Sequence, residues 1–213
     1  MKKIALLFTM TVLTAGIVAA PRLPGNVEEW KVATHYRGPN LTLTLFHQGM
    51  PQLSLKNNVR LGGIVLSQRG RNFSGKLTRE ADRTHSYTFP DLPGVTLRFE
   101  LNTDNFFTGQ LSVAGEIVPP PLTFSLLRPE LESGKLIIDG AEQPFPAERQ
   151  EFKNLRQITF HAGEPAQAFS LQVGEGTIAV LRISPSKYGV TVELRPEKAG
   201  GNVDFTIVPG VPR

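Results

Sequence analysis

Residues with chemical potential are sparse in this 213-residue chain, and the most suggestive group falls in one short stretch, "NTDNFFTG" (102–109). Binding a sugar needs a flat aromatic face for the apolar side of the ring and short polar groups for its hydroxyls. Phe106 and Phe107 are adjacent, so in an extended segment they face opposite sides. One can enter a core. The other is then exposed, covered by a neighbour, or used for binding. Asn102, Asp104 and Asn105 stand beside them, although turn formation explains those residue types equally well. Trp30, the only tryptophan, lies in "NVEEWKVATHYRG" near Tyr36. It reads either as the anchor of a first strand or as a second stacking surface. Trp30, Asn102, Asp104, Asn105, Phe106 and Phe107 are therefore the expected ligand-binding residues.

Catalytic chemistry finds less support. There is no G-x-S-x-G elbow and no H-E-x-x-H pair. His35, His47, His85 and His161 are far apart in sequence, and there is no cysteine. A disulfide framework and a thiolate zinc site are thus excluded. Glycoside hydrolysis requires two carboxylates about 5–10 Å apart. The close pairs Glu28/Glu29, Glu130/Glu132 and Glu148/Glu151 are candidates, but they read as solvated loop acids. No catalytic residue, metal or cofactor is expected.

The elements that must position any site are strands. The 20 glycines and 17 prolines punctuate the chain about every 8–15 residues, and short alternating runs lie between them. In "GVTLRFELN" (94–102), Val95, Leu97, Phe99 and Leu101 point one way while Thr96, Arg98 and Glu100 point the other. That period of two marks a half-buried strand. Similar runs recur to residue 208, and they predict an all-β, large two-sheet antiparallel β-sandwich of about thirteen strands. Asp139-Gly140 predicts a type I′ turn. The following "EQPFP" predicts an edge strand, because its prolines cannot donate to a ladder. "RGRNFSGKLTREADRT" (69–84) is expected to be a protruding polar loop, with or without one helical turn. Gly174–Gly176 and Ala199–Gly201 are expected to be hairpin turns.

Residues 1–20, with Lys2 and Lys3 before an apolar run, have the layout of a bacterial secretory signal peptide. The expectation is a signal helix followed by a secreted or periplasmic β-domain over 21–213, with no membrane span after cleavage. The formal charge of +4 includes Lys2 and Lys3, and the remaining basic residues are dispersed. A nucleic-acid partner is not expected. Pro119–Pro121 divide the chain into possible sub-lobes, 21–118 and 119–213. They read as a linker between two sandwiches or as a stiff crossing from one sheet to the other within one.

The stretches "LTLTLFHQGMPQLSLKNNVRLGGIVLS" (41–67), "ELESGKLIIDGAEQPFPAERQEFKNLRQITF" (130–160) and "AFSLQVGEGTIAVLRIS" (168–184) resemble galactose-mutarotase-like supersandwich domains. Such domains accompany the catalytic domains of secreted bacterial glycoside hydrolases. The resemblance implies an exported, non-catalytic accessory or carbohydrate-binding role. Its expected partners are a polysaccharide or oligosaccharide and a catalytic glycoside hydrolase. No catalytic residue of that family has a matching motif here. Two other readings stay open: a periplasmic or cell-surface structural or protein-interaction module, and a stand-alone glycoside hydrolase or mutarotase-like enzyme.

Overall fold

A computed structural model describes residues 31–38, 40–55, 60–102, 106–162 and 168–210. The expected signal segment and Trp30, Asp104 and Asn105 lie outside the described residues. The first half carries β1 (Val32–Arg37), β2 (Leu41–Phe46), β3 (Gln48–Gly49), β4 (Gln52–Leu55) and β5 (Arg60–Gln68). It continues with β6 (Arg71–Phe73), β7 (Gly75–Ala81), β8 (Thr84–Thr88), β9 (Val95–Leu101) and β10 (Phe107–Val113). After the prolines come β11 (Leu122–Leu126), β12 (Lys135–Ile138), β13 (Ala141–Pro144), β14 (Gln150–Lys153) and β15 (Gln157–Phe160). The last four are β16 (Phe169–Val173), β17 (Thr177–Ile183), β18 (Val190–Pro196) and β19 (Val203–Pro209).

These nineteen strands, rather than about thirteen, form two antiparallel sheets packed as a sandwich. The first sheet runs β1-β2-β4-β5-β11-β18-β17-β14, with β6 on β5. The second runs β13-β12-β15-β16-β19-β10-β9-β8-β7-β3. The two halves of the chain meet at β5–β11 in one sheet and at β10–β19 in the other. Each sheet is therefore continuous across the proline boundary. Pro119–Pro121 lead from β10 in the second sheet to β11 in the first, with Pro119 and Pro120 buried.

Alternation explains the core. Val95, Leu97 and Phe99 are buried, and so are their cross-strand partners Val113 in part, Leu111 and Gly109. Phe205 sits between the sheets, edge-on to Phe124 of the first at 5.3 Å and to Phe99 of the second at 6.2 Å. Gly109 makes room for it, since a Cβ there would lie 2.0 Å from Phe205 Cζ. Fully buried Tyr87 accepts from Phe46 N and donates to Phe46 O, both at 2.9 Å.

The Asp139-Gly140 turn has φ of 47° and 86° and joins paired strands β12 and β13. β13 pairs only with β12, which makes it an edge strand. Two local readings need correction. Residues 69–84 contain β6, β7 and the start of β8 instead of a loop. β7 is exposed along most of its length, and its backbone bonding to β8 and β3 carries it where apolar alternation does not. Gly174–Gly176 and Ala199–Gly201 are not hairpin turns. They carry the chain between sheets, from β16 to β17 and from β18 to β19. Close packing at the first crossing explains Gly174, whose added Cβ would come within 2.7 Å of Asp204 Cβ.

Candidate functional site

The β9–β10 connection holds three of the expected binding residues within the described chain. Asn102 Oδ1 accepts from Phe106 N at 3.0 Å, and Asn102 N donates to Phe106 O at 3.1 Å. Asn102 thus closes the loop. Phe107 is fully buried and stacks on Tyr36 at 6.3 Å. Phe106 is half-buried. The adjacent pair divides as alternation requires, one ring in the core and one at the surface. None of the three lines the recesses described below.

A different site forms on the outer face of the first sheet. Two recesses of about 450 and 280 Å³ share one residue, Tyr188. Their floor comes from the strand register. Gln52, Gly63, Ser125, Thr191, Arg182 and Glu151 are successive cross-strand partners on β4, β5, β11, β18, β17 and β14. With strands about 4.8 Å apart, this row is on the order of 24 Å long. Its centre is made of small side chains, so the face is hollow there. Among the described residues, the hydroxyls of Thr123, Ser125 and Thr191 have no protein partner.

Tyr188 stands on the turn between β17 and β18 and is 51% exposed. The turn beneath it is tightly built. Ser184 N donates to Gly189 O at 2.7 Å, and Gly189 N donates to Ser186 O at 2.9 Å. A Cβ on Gly189 would lie 2.1 Å from Ser184 O, so only glycine fits. Arg128, in the short 3-10 turn Arg128–Glu130, fixes this turn from below. Its backbone N donates to Lys187 O at 2.9 Å. Its guanidinium donates to Ser184 O at 3.0 Å, Pro146 O at 2.9 Å and Ala147 O at 3.3 Å. Glu132 and the Phe145 ring complete the surroundings of this buried cation. The backbone that carries the exposed ring is thereby held in place, which reduces the ordering cost of binding.

Charges at this face fall into two kinds. Glu151 accepts from Lys153 and Arg182, and those bonds hold its carboxyl below the usual carboxylate range. Arg182 also pairs with Glu193. By contrast, the guanidinium groups of Arg60 and Arg149, which line the two recesses, make no ion pair or hydrogen bond among the described residues. Among the described residues, Glu151 is the single carboxylate lining either recess.

The outer face of the second sheet has a recess of about 360 Å³ near Arg98, Gln110, Gln172 and Asp204. Its polar groups largely satisfy one another: Arg98 pairs with Glu80 and Glu100, and Gln110 donates to Asp204 at 2.7 Å. Tyr36 and His85 form a further polar cluster, but both are buried between the sheets. Among the described residues, no group of three or more metal-ligating side chains converges.

Of these sites, only Tyr188 combines exposure, rigid support and an adjoining hollow polar floor. Tyr188 was not among the residues expected from the sequence. Its signal was available in "SPSKYGV" (184–190), an aromatic residue inside an otherwise polar turn.

No protein-family model matches the chain, and no curated protein matches it. Among solved structures, it is similar to a Paenibacillus xanthan lyase, with 10% identity and a TM-score of 0.35. The match covers 88% of this chain and 19% of the lyase chain. At that TM-score the likeness says nothing about activity or ligand.

Proposed function

We propose that this protein is an exported, non-catalytic β-sandwich that binds carbohydrate on the outer face of its first sheet, as a free-standing module or as an accessory to a carbohydrate-active enzyme. The observation that carries the reading is the exposed Tyr188, on a hydrogen-bonded turn beside a trough floored by Gly63, Ser125 and Thr191. An aromatic face beside unpaired hydroxyls matches the two surfaces of a sugar ring, one apolar and one polar. The charge arrangement favours binding over hydrolysis. Acid–base cleavage of a glycoside needs two carboxylates, and the lining supplies one, already held by two cations.

Affinity electrophoresis through gels containing neutral or acidic polysaccharides tests this reading. Wild-type protein is retarded by at least one polysaccharide. Gly63→Thr fills the trough while its Cβ meets nothing closer than Pro51 O at 3.4 Å, so the fold tolerates it. That variant loses retardation but keeps the wild-type unfolding temperature. Absence of retardation in every gel, or full retardation of the variant, overturns the proposal.

A further inference from the structure

We infer that the carbohydrate held by this trough is anionic, with carboxylate or sulfate groups received by Arg60 and Arg149. This rests on the carbohydrate reading above and names the ligand class for the same site. Three arginines and one carboxylate line the two recesses. Arg182 and Glu151 are matched to each other at 2.7 Å, with Lys153 and Glu193 as their further partners. That leaves Arg60 beside one recess and Arg149 beside the other, both exposed and both without a partner among the described residues.

Position distinguishes this pair from other surface cations. Arg71, Arg79, Arg98, Arg156 and Arg195 are each paired with a carboxylate, and Arg37 and Arg69, exposed and without a partner among the described residues, line neither recess. Arg60 and Arg149 instead flank the hydroxyl-lined floor, one on each side of Tyr188. A guanidinium presents two parallel N–H groups that suit the paired oxygens of a carboxylate or sulfate. A neutral glycan can accept hydrogen bonds from both groups but gains no charge-assisted bond from them. A glycan with repeated negative charge can meet both while its rings cross the floor between. Lys187, whose Nζ lies 5.9 Å from the Tyr188 ring centre, adds positive potential beside the same platform.

The test compares binding of polygalacturonate (carboxylate), dextran sulfate (sulfate), unsubstituted dextran (neutral) and inorganic polyphosphate (charge without sugar), by titration calorimetry at fixed ionic strength. The proteins are wild type, Arg60→Gln/Arg149→Gln and Tyr188→Ala. The double variant loses about tenfold or more in affinity for the anionic glycan, the scale of one or two charge-assisted hydrogen bonds. Polygalacturonate as the tighter ligand identifies the carboxylate source, and dextran sulfate the ester. Equal binding of dextran, sensitive to Tyr188→Ala but not to the double variant, overturns the anionic ligand and leaves carbohydrate binding standing. Polyphosphate binding as tight as any glycan, and insensitive to Tyr188→Ala, overturns both.

Discussion

Arg128 Nη1 donates to the carbonyl oxygen of Ser184 at 3.0 Å, and so links a buried cation to the turn that presents Tyr188. The same guanidinium reaches Pro146 O and Ala147 O on the segment leading into β14. One side chain therefore holds both banks of the larger recess. Arg128→Met keeps much of the volume but removes all three donations and leaves the buried Pro146 carbonyl without its donor. It is expected to cost about 2–4 kcal/mol of stability. At a temperature where the variant is fully folded, carbohydrate affinity also falls, because the turn is no longer fixed. Urea unfolding and binding titration at that temperature check the two parts separately.

Tyr36 and His85 join the two sheets through a buried hydrogen bond between the phenol oxygen and Nδ1. Burial, the largest cause, lowers the His85 pKa from 6.5, with Arg79 adding to the effect. The folded state therefore holds neutral imidazole, and the unfolded chain binds the proton more readily. The contribution is present above about pH 6.5 and is lost as pH falls through the folded value. Burial likewise pushes Tyr36 up to about 12 from 10.0. Its contribution is present below about pH 10 and is lost as pH rises toward 12. Urea midpoints should drop at both ends of the range. In His85→Gln the acid-side drop should be smaller than in wild type. An equal acid-side drop in both proteins argues against the His85 assignment.

Gly109 and Phe205 are cross-strand partners on β10 and β19, at one of the two seams between the halves of the chain. A methyl group at Gly109 would overlap the Phe205 ring, which is confined between Phe99 and Phe124. Gly109→Ala is expected to destabilise by about 1–3 kcal/mol through overpacking. Chemical denaturation measures it, and a neutral result would mean that the ring has room to move.

Continuous sheets across both seams predict one cooperative unfolding transition for residues before and after the prolines. Phe107→Ala in the first half, with a loss of about 3–5 kcal/mol, should lower the stability of both halves together. Hydrogen exchange resolved along the chain distinguishes this from independent lobes. Two separately shifted transitions would contradict a single folding unit.

Much of the fold was legible because the deciding physics is local. Period-two alternation marks Val95, Leu97 and Phe99 as inward. The positive φ values at Asp139 and Gly140 follow from residue type. Failures came where distant pairing decides. β7 has little apolar pattern, and its ladder partners are invisible locally. Whether Gly174–Gly176 turns back or crosses depends on which sheet receives β17. The site divides the same way. The outward positions of Ser125 and Thr191 can be read from alternation, but their alignment with Gly63 depends on the register of three strands from distant parts of the chain. Asn102 was legible only as a polar residue near aromatics, and both of its possible uses share that signature. The structure shows it closing the β9–β10 loop.

Titration of wild-type protein and Tyr188→Ala with the polysaccharide that retards the wild type most strongly decides whether carbohydrate binds at the Tyr188 turn. The Tyr188 side chain is half exposed and packs into no core, so its loss leaves the unfolding temperature unchanged. Stacking on Tyr188 requires about tenfold or greater loss of affinity in the variant, the scale of a binding hot spot. Equal affinity of the two proteins would contradict it.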